Sequence, residues 1–174
     1  QGTYSVSDDF RLVAGVRYSE DTFETNVTNF FNVETFTEKG VSDEITGKIT
    51  GELDLSDSTM AYLSFARGFK PGGSNLTFGF TEVEDIVAGR PVAPAMVFPT
   101  FEAETVDSME LGLKTDLLDG RARANIAAFS YTYENLQFQA TDPDPYRGGV
   151  ANIPESEMSG LEVEFTGLLT DELV

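Results

Sequence analysis

The clearest regularity in the chain is an alternation of apolar and polar residues with a period of two between residues 41 and 55. Apolar residues and two glycines occupy the odd positions, and polar or charged residues occupy the even ones. Asp43 is the only charged residue in the apolar series. Because successive side chains of a β-strand point to opposite faces, this pattern predicts a long strand with one apolar and one polar face.

The same alternation recurs elsewhere. Residues 10–21 and 159–167 repeat it, and residues 59–69 and 121–138 have the composition of strands, being rich in aromatic and small residues. If these segments form one sheet, their apolar members share a face. The residues expected on that apolar face are Leu12, Val16, Ile45, Ile49, Leu111, Leu113, Leu161, Val163 and Phe165.

Residues 104–117 fit two patterns. With a period of two, Met109, Leu111 and Leu113 oppose polar residues and glycine, as in a strand. With a period of 3.6, Val106, Met109 and Leu113 line one face of a helix. The neighbouring segments are predicted strands, so a strand is favoured and the helix stays open.

Connections between the predicted strands alternate between short and long. Short turns are expected at residues 7–9, 56–58, 118–120 and 169–171, and long connections at 22–40, 70–102 and 139–156. All seven prolines fall in the last two connections and none in a predicted strand, as ladder hydrogen bonding requires. This asymmetry predicts an all-β, up-and-down antiparallel meander with unlike ends, as in outer-membrane barrels.

Composition narrows the chemistry. The 174 residues include no Cys and no His, which excludes disulfides, thiolate nucleophiles and His-based triads. With 11 Lys and Arg against 30 Asp and Glu, the net charge of -19 argues against binding nucleic acid. No apolar run reaches ~18 residues, so no membrane helix is predicted, but a membrane-spanning strand hides its apolarity in every second residue. No enzyme activity and no cofactor are expected.

Residues 61–75 resemble a segment recurrent in TonB-dependent outer-membrane receptors. In that family, a strand ending in tyrosine, serine and small residues runs into an Arg-Gly-Phe-Lys-x-Gly-Gly-x-Asn exit, which corresponds here to residues 67–75. Stretches at 12–19, 104–133 and 152–164 are similar to the same family in the same order. Together the four stretches cover most of the chain.

The resemblance implies a plugged barrel of ~22 strands that takes up a scarce nutrient, such as a ferric siderophore, haem, cobalamin or a glycan, with energy passed on by TonB. Residues 1–174 are then expected to be an internal part of the barrel domain, without the plug domain. This part comprises about six whole strands and two stubs, at 1–6 and 173–174. The implied location is the Gram-negative outer membrane. The implied partners are its lipid, the nutrient, and TonB through parts of the receptor outside these residues.

Two other architectures share the alternation. One is a secreted or surface interaction module, an acidic, calcium-assisted, adhesin-like sandwich, and the other is a small porin-like barrel. In a sandwich the apolar face packs against a second sheet, whereas in a barrel it faces lipid. The surroundings of the apolar face therefore separate the hypotheses.

Candidate ligand-binding residues lie at the strand exit, where Arg67 and Lys70 suit an anionic substrate or lipid headgroups and Asn75 follows them. A membrane-interface girdle is expected from five aromatic residues. These are Tyr62, Phe65, Phe129, Tyr131 and Tyr133.

Three further groups of residues each have a possible functional interpretation and a purely structural one. Acidic pairs at Asp8–Asp9 and Asp142–Asp144 offer calcium ligands but lack EF-hand spacing, so loop solubility is favoured. Glu162 and Glu164 lie about 7 Å apart on one strand face, a spacing compatible with glycosidase carboxylates, but a solvated wall is favoured. Gly72–Gly73 lacks the residues that follow a phosphate-binding loop.

Overall fold

The computed structural model describes residues 1–28, 35–75, 100–141 and 148–168, and the regular structure in these ranges is all β-strand. The strands are β1 (Gly2–Ser5), β2 (Phe10–Thr28), β3 (Thr35–Ser56), β4 (Thr59–Lys70), β5 (Gly73–Ser74), β6 (Thr100–Phe101), β7 (Glu104–Leu117), β8 (Ala122–Thr141) and β9 (Gly148–Gly167). No helix in these ranges has the length and apolarity needed to cross a bilayer.

Seven of the strands form one antiparallel sheet in the order β1-β2-β3-β4-β7-β8-β9. The two short strands β5 and β6, which lie between β4 and β7 in the sequence, pair only with each other. The up-and-down order, the six whole strands and the stub at the beginning are confirmed. The second predicted stub, residues 173–174, lies outside the described residues. Segment 104–117 is a strand, because β7 pairs along its length with β4 and β8.

The strands are longer than predicted. β2 and β3 have 19 and 22 residues, and β8 and β9 have 20 each, against about 9–11 needed to cross a bilayer at a tilt. The predicted connections at 22–40 and 139–156 are therefore wrong over most of their length. Threonine is the commonest residue in these extensions and their alternation is irregular, and a ladder of backbone hydrogen bonds needs no apolar side chains to continue.

Pro154 lies within β9, so the prediction that every proline avoids a strand is wrong here. The ladder between β8 and β9 passes from the Glu134–Glu155 pair to the Leu136–Ile153 pair without pairing Pro154. A proline has no N–H to donate, and Asn135 opposite it has a φ of 54°. The register is the same on both sides of this gap.

The register places all nine predicted residues on one apolar face. This face is open: Leu161 is 80% exposed, Val163 70%, Ile45 62% and Ile49 49%. Within the described ranges, the only buried hydrophobic residues are two alanines. Among the residues that the structure describes, no second sheet covers the apolar face, so they do not form the core of a sandwich.

The opposite, polar face is the more enclosed of the two. Thr50 and Ser64 on this face are each 6% exposed, and their hydroxyl groups are hydrogen-bonded at 3.1 Å. A polar face that is on the whole more enclosed than the apolar face opposite it is the reverse of a water-soluble sheet. We call the end of the sheet with the short connections the turn end, and the end with the long connections the loop end.

Candidate functional site

The polar face is the candidate site, because its side chains alternate with the exposed apolar ones on every long strand. Directly opposed residues of six strands build one row across it, which runs Arg11, Glu52, Tyr62, Gly112, Ala127 and Glu162. The cross-strand neighbours in this row and the rows beside it set the electrostatics of the face.

Near the turn end, opposite charges on the polar face are paired. The Arg11 guanidinium donates to Asp54 through two nitrogens, and its Nε lies 3.3 Å from Glu52 Oε2. Arg123 Nε donates to Asp116 Oδ1 at 2.7 Å across the β7–β8 ladder. These two groups together carry a net negative charge, because Arg11 and Arg123 meet three carboxylates.

Tyr62 is the centre of a second polar group. Its hydroxyl donates to Glu110 Oε1 at 2.6 Å, and Lys114 Nζ lies 5.2 Å from the centroid of its ring, within the range of a cation–π contact. The ring lies over Gly112, where any Cβ would collide with it. Beside this group is a recess of about 390 Å³, whose lining includes Lys48, Glu52, Tyr62, Glu110 and Lys114.

The polar face also carries an aromatic pair on β8. The rings of Phe129 and Tyr131 are stacked with centroids 5.1 Å apart. Phe129 is opposite Gly160, and Tyr131 is opposite Met158. The register puts four of the five predicted girdle residues on this face and leaves only Phe65 on the apolar face. The girdle prediction is therefore wrong for Tyr62, Phe129, Tyr131 and Tyr133, because apolar residues occupy both faces of β4 and of β8 and hide their orientation.

Arg67 and Lys70 lie at the loop end, as predicted for the strand exit. Arg67 makes a two-point contact with its cross-strand neighbour Asp107, at 2.7 Å from Nε and 2.6 Å from Nη2, and its Nη1 lies 3.6 Å from Glu44. Lys70 is exposed and opposite Glu104 at the last pair of the β4–β7 ladder. Ligand binding by Arg67 and Lys70 stays a prediction.

Asn75 is 7% exposed, and both ends of its side-chain amide are hydrogen-bonded to the backbone of Val150. These bonds leave its amide engaged by the protein itself, so they do not support the predicted ligand contact. Two other amides at the same end, those of Gln137 and Asn152, also bind backbone groups of distant segments. No periodicity in the sequence singled out these two residues, although Asn152 is the first residue of the family-like stretch 152–164.

The remaining candidates are the acidic pairs, the two glutamates of β9 and the glycine pair at 72–73. Within the described part of the chain, no three Asp, Glu, His or Cys side chains are grouped as for a metal ion. Asp142–Asp144 lies outside that part. Glu162 and Glu164 share the polar face, and Glu164 accepts a hydrogen bond of 2.9 Å from Asn125 Nδ2. Gly72 donates its N–H to Ser42 Oγ at 3.2 Å.

Comparison with known proteins shows the family of the chain. Residues 1–171 match the family described as TonB dependent receptor-like, beta-barrel. The chain is 26% identical over 170 residues to the ferric-pyoverdine 358 receptor of Pseudomonas putida, covering 94% of this chain and 18% of that receptor. It is 26% identical over 167 residues to the probable TonB-dependent siderophore receptor PiuA of Acinetobacter baumannii, covering 96% of this chain and 21% of that receptor.

A solved structure has the same fold. The ferric yersiniabactin uptake receptor FyuA from Yersinia pestis superposes with a TM-score of 0.69 at 20% identity, over 97% of this chain and 23% of that one. The chain thus spans about a fifth of the length of the curated relatives it matches.

Proposed function

The chain belongs to the TonB dependent receptor-like β-barrel family, and we propose that residues 1–174 form part of the barrel wall of a Gram-negative outer-membrane receptor that imports a ferric siderophore. The relative from Pseudomonas putida is named a ferric-pyoverdine receptor, and the structural neighbour from Yersinia pestis is a ferric yersiniabactin uptake receptor. These names support iron carriers over haem, cobalamin or glycans as the substrate class.

The observation that carries the proposal is the exposed apolar face of a single open sheet. Within the described ranges no second sheet covers its large side chains, and the long strands that bear them exceed the bilayer-crossing length. Lipid is the solvent that makes such a face favourable, since burying apolar surface gains ~25 cal/mol per Å². The adhesin-like alternative is not favoured, because the described part of the chain contains no sheet that faces the apolar one.

The polar face would supply the wall past which the solute moves. Its ion pairs at the turn end keep the wall hydrated and slightly negative, because Arg11 and Arg123 face three carboxylates. The plug and the contact with TonB belong, in this proposal, to parts of the receptor outside residues 1–174. The role of this chain, in this proposal, is to form part of the barrel wall and to contribute to substrate binding, and we propose no catalytic step.

Iron uptake by cells tests the proposal. The gene for the full-length receptor is deleted, and radiolabelled ferric pyoverdine and ferric yersiniabactin are supplied under iron limitation, with and without functional TonB. We expect uptake of at least one ferric complex to require both the receptor and TonB. Radiolabelled haem and cobalamin serve as controls for other substrate classes. If the deletion lowers uptake of haem or cobalamin alone, the siderophore assignment is wrong.

A further inference from the structure

A short two-stranded element lies at the loop end, apart from the main sheet. After the Lys70–Glu104 pair closes the β4–β7 ladder, Gly73 pairs with Phe101 and Ser74 with Thr100. We call residues 71–75 and 100–103 the stem.

The stem crosses the polar face instead of extending the sheet. It leaves from β4 and β7 in the middle of the strand order, but β5 lies against β2 and β6 lies against β9, each two strands away. Only an element lying across the face reaches both. On one side, Gly72 donates its N–H to Ser42 Oγ of β3 at 3.2 Å.

Two opposed amides fasten the stem to β8 and β9. Gln137 and Asn152 are paired in register, so their side chains share one face. Gln137 Nε2 donates to the carbonyl oxygens of Pro71 at 2.9 Å and Glu102 at 3.0 Å. Asn152 Nδ2 donates to the Glu102 carbonyl at 3.0 Å, and Asn152 Oδ1 accepts from the Glu102 N–H at 2.7 Å. Both strands of the stem are therefore held through their backbone.

A third amide holds the stem to the backbone of β9. Asn75 Nδ2 donates to the Val150 carbonyl at 2.8 Å, and Asn75 Oδ1 accepts from the Val150 N–H at 2.7 Å. In an antiparallel ladder every second residue turns both backbone groups away from its partner strand. Asn75 thus pairs with the edge of β9 that faces away from β8, in the manner of a backbone peptide group.

The backbone beside Val150 is shaped to admit Asn75. Gly149 has a φ of +151°, which side chains disfavour. A Cβ at this position would lie 2.5 Å from Asn75 Oδ1. A glycine at position 149 therefore leaves the room that the amide occupies.

We propose that Asn75, Gln137 and Asn152 form an amide clamp that holds the stem in one fixed position across the polar face, giving the loop end of the wall a rigid crosspiece. A carboxamide suits each position because it donates and accepts at once, whereas a carboxylate of the same shape only accepts. In Asn75→Asp, an oxygen replaces the donor that faces the Val150 carbonyl. The clamp is independent of which solute the receptor imports.

Spin-label distances in the full-length receptor, embedded in outer-membrane vesicles, test the clamp. Residues 1–174 contain no Cys, so labels are introduced as Thr100→Cys with Glu155→Cys (stem to wall) and as Asp43→Cys with Glu155→Cys (wall to wall), after replacement of any cysteine elsewhere. We expect Asn75→Asp to broaden the stem-to-wall distribution about twofold, as local release does, and to leave the wall-to-wall one unchanged. The matched control Asn125→Asp changes an amide at the other end of the polar face and should broaden neither.

Folding of each variant is checked by the shift in gel mobility that heating causes in a folded barrel. If Asn75→Asp does not fold by this criterion, a second variant keeps the test decisive. Gly149→Ala retains all three amides but drives a Cβ into Asn75, and it should broaden the stem-to-wall distribution in the same way. Its control is Gly2→Ala, where an added Cβ meets nothing within 4 Å. An unchanged stem-to-wall distribution in both variants overturns the clamp. Equal broadening of both label pairs also overturns it, since that indicates general loosening of the wall.

Discussion

At the scale of single residues, glycines opposite aromatic rings are the most specific feature of the polar face. The Tyr62 ring lies over Gly112 of β7, and the Phe129 ring lies 2.7 Å from where a Cβ of Gly160 would be. An aromatic ring laid over a cross-strand glycine fills the space that the missing side chain leaves. The alternation pattern assigns no role to these glycines, although the aromatic ring opposite each one leaves no room for a side chain there.

We expect Gly112→Ala to destabilise the receptor by about 1–3 kcal/mol, the usual cost of overpacking, because the new methyl group displaces the Tyr62 ring from Glu110. The free energy of unfolding in detergent, from denaturant titration, measures this. Gly2→Ala is the control and should have no effect. Equal stabilities of the two variants would show that the ring moves aside without cost.

The apolar face gives a second expectation for single residues. Leu161 lies in a row with Leu63 and Leu111, with apolar rows on either side, and is 80% exposed. Leu161→Arg should cost about 2–4 kcal/mol in lipid, as for a cation near the bilayer midplane. The adjacent Glu162→Arg, on the polar face, is the matched control. Comparable unfolding free energies for both variants in lipid vesicles would contradict the assignment of the faces.

At the scale of elements, the β7–β8 hairpin is strained at its turn. Leu118, Asp119 and Gly120 have φ values of 55°, 57° and 82°. Aspartate and glycine tolerate this left-handed region, but leucine does so at a cost of roughly 1–2 kcal/mol. The Leu118 side chain is 74% exposed, so it gains little from packing in return.

Leu118→Gly should therefore stabilise the receptor by up to about 1 kcal/mol, because relief of the strain exceeds the roughly 0.5–1 kcal/mol entropic cost of glycine. The control is Leu117→Gly, in which a residue of ordinary φ at the end of β7 loses its side chain, and this variant should be destabilised. A fall in the denaturation midpoint of Leu118→Gly would mean that the leucine side chain contributes packing that outweighs the strain.

At the scale of the whole molecule, the two faces of one sheet meet different surroundings. The polar face carries paired charges and the stem, and the apolar face carries exposed branched and aromatic side chains. This arrangement fits a wall between lipid and a wet interior, and its strands follow one another in chain order apart from the stem.

Labelling of single cysteines in the membrane-embedded receptor checks this arrangement. Cysteines at positions 161 and 163 should react with a lipid-soluble thiol reagent and poorly with a charged one, and cysteines at positions 162 and 164 should show the reverse. The absence of Cys from residues 1–174 keeps the background low. Reaction of all four positions with the charged reagent would place both faces of β9 in water and contradict the barrel wall.

Alternation, strand composition and the short turns together predicted that the strands exist, their order and the membership of the apolar face. Each of these follows from a local rule, since side chains of a strand alternate and short turns join antiparallel neighbours. The resemblance to the family rested on four stretches, at 12–19, 61–75, 104–133 and 152–164, and was visible for the same reason, because each stretch is contiguous. Pattern failed where both faces of a strand carry similar residues, as in β8, and where polar strands extend beyond the apolar rows, as in β2 and β3.

Only the tertiary structure decided what lies against each face and what holds the stem. An apolar series is the same in a sandwich and in a barrel wall, and the difference is the presence of a second sheet, which is a property of the assembled chain. The amides of Asn75 and Asn152 bind backbone groups 75 and 50 residues away. Their partners are brought near by the register of β8 and β9 and by the path of the stem, neither of which a local pattern contains.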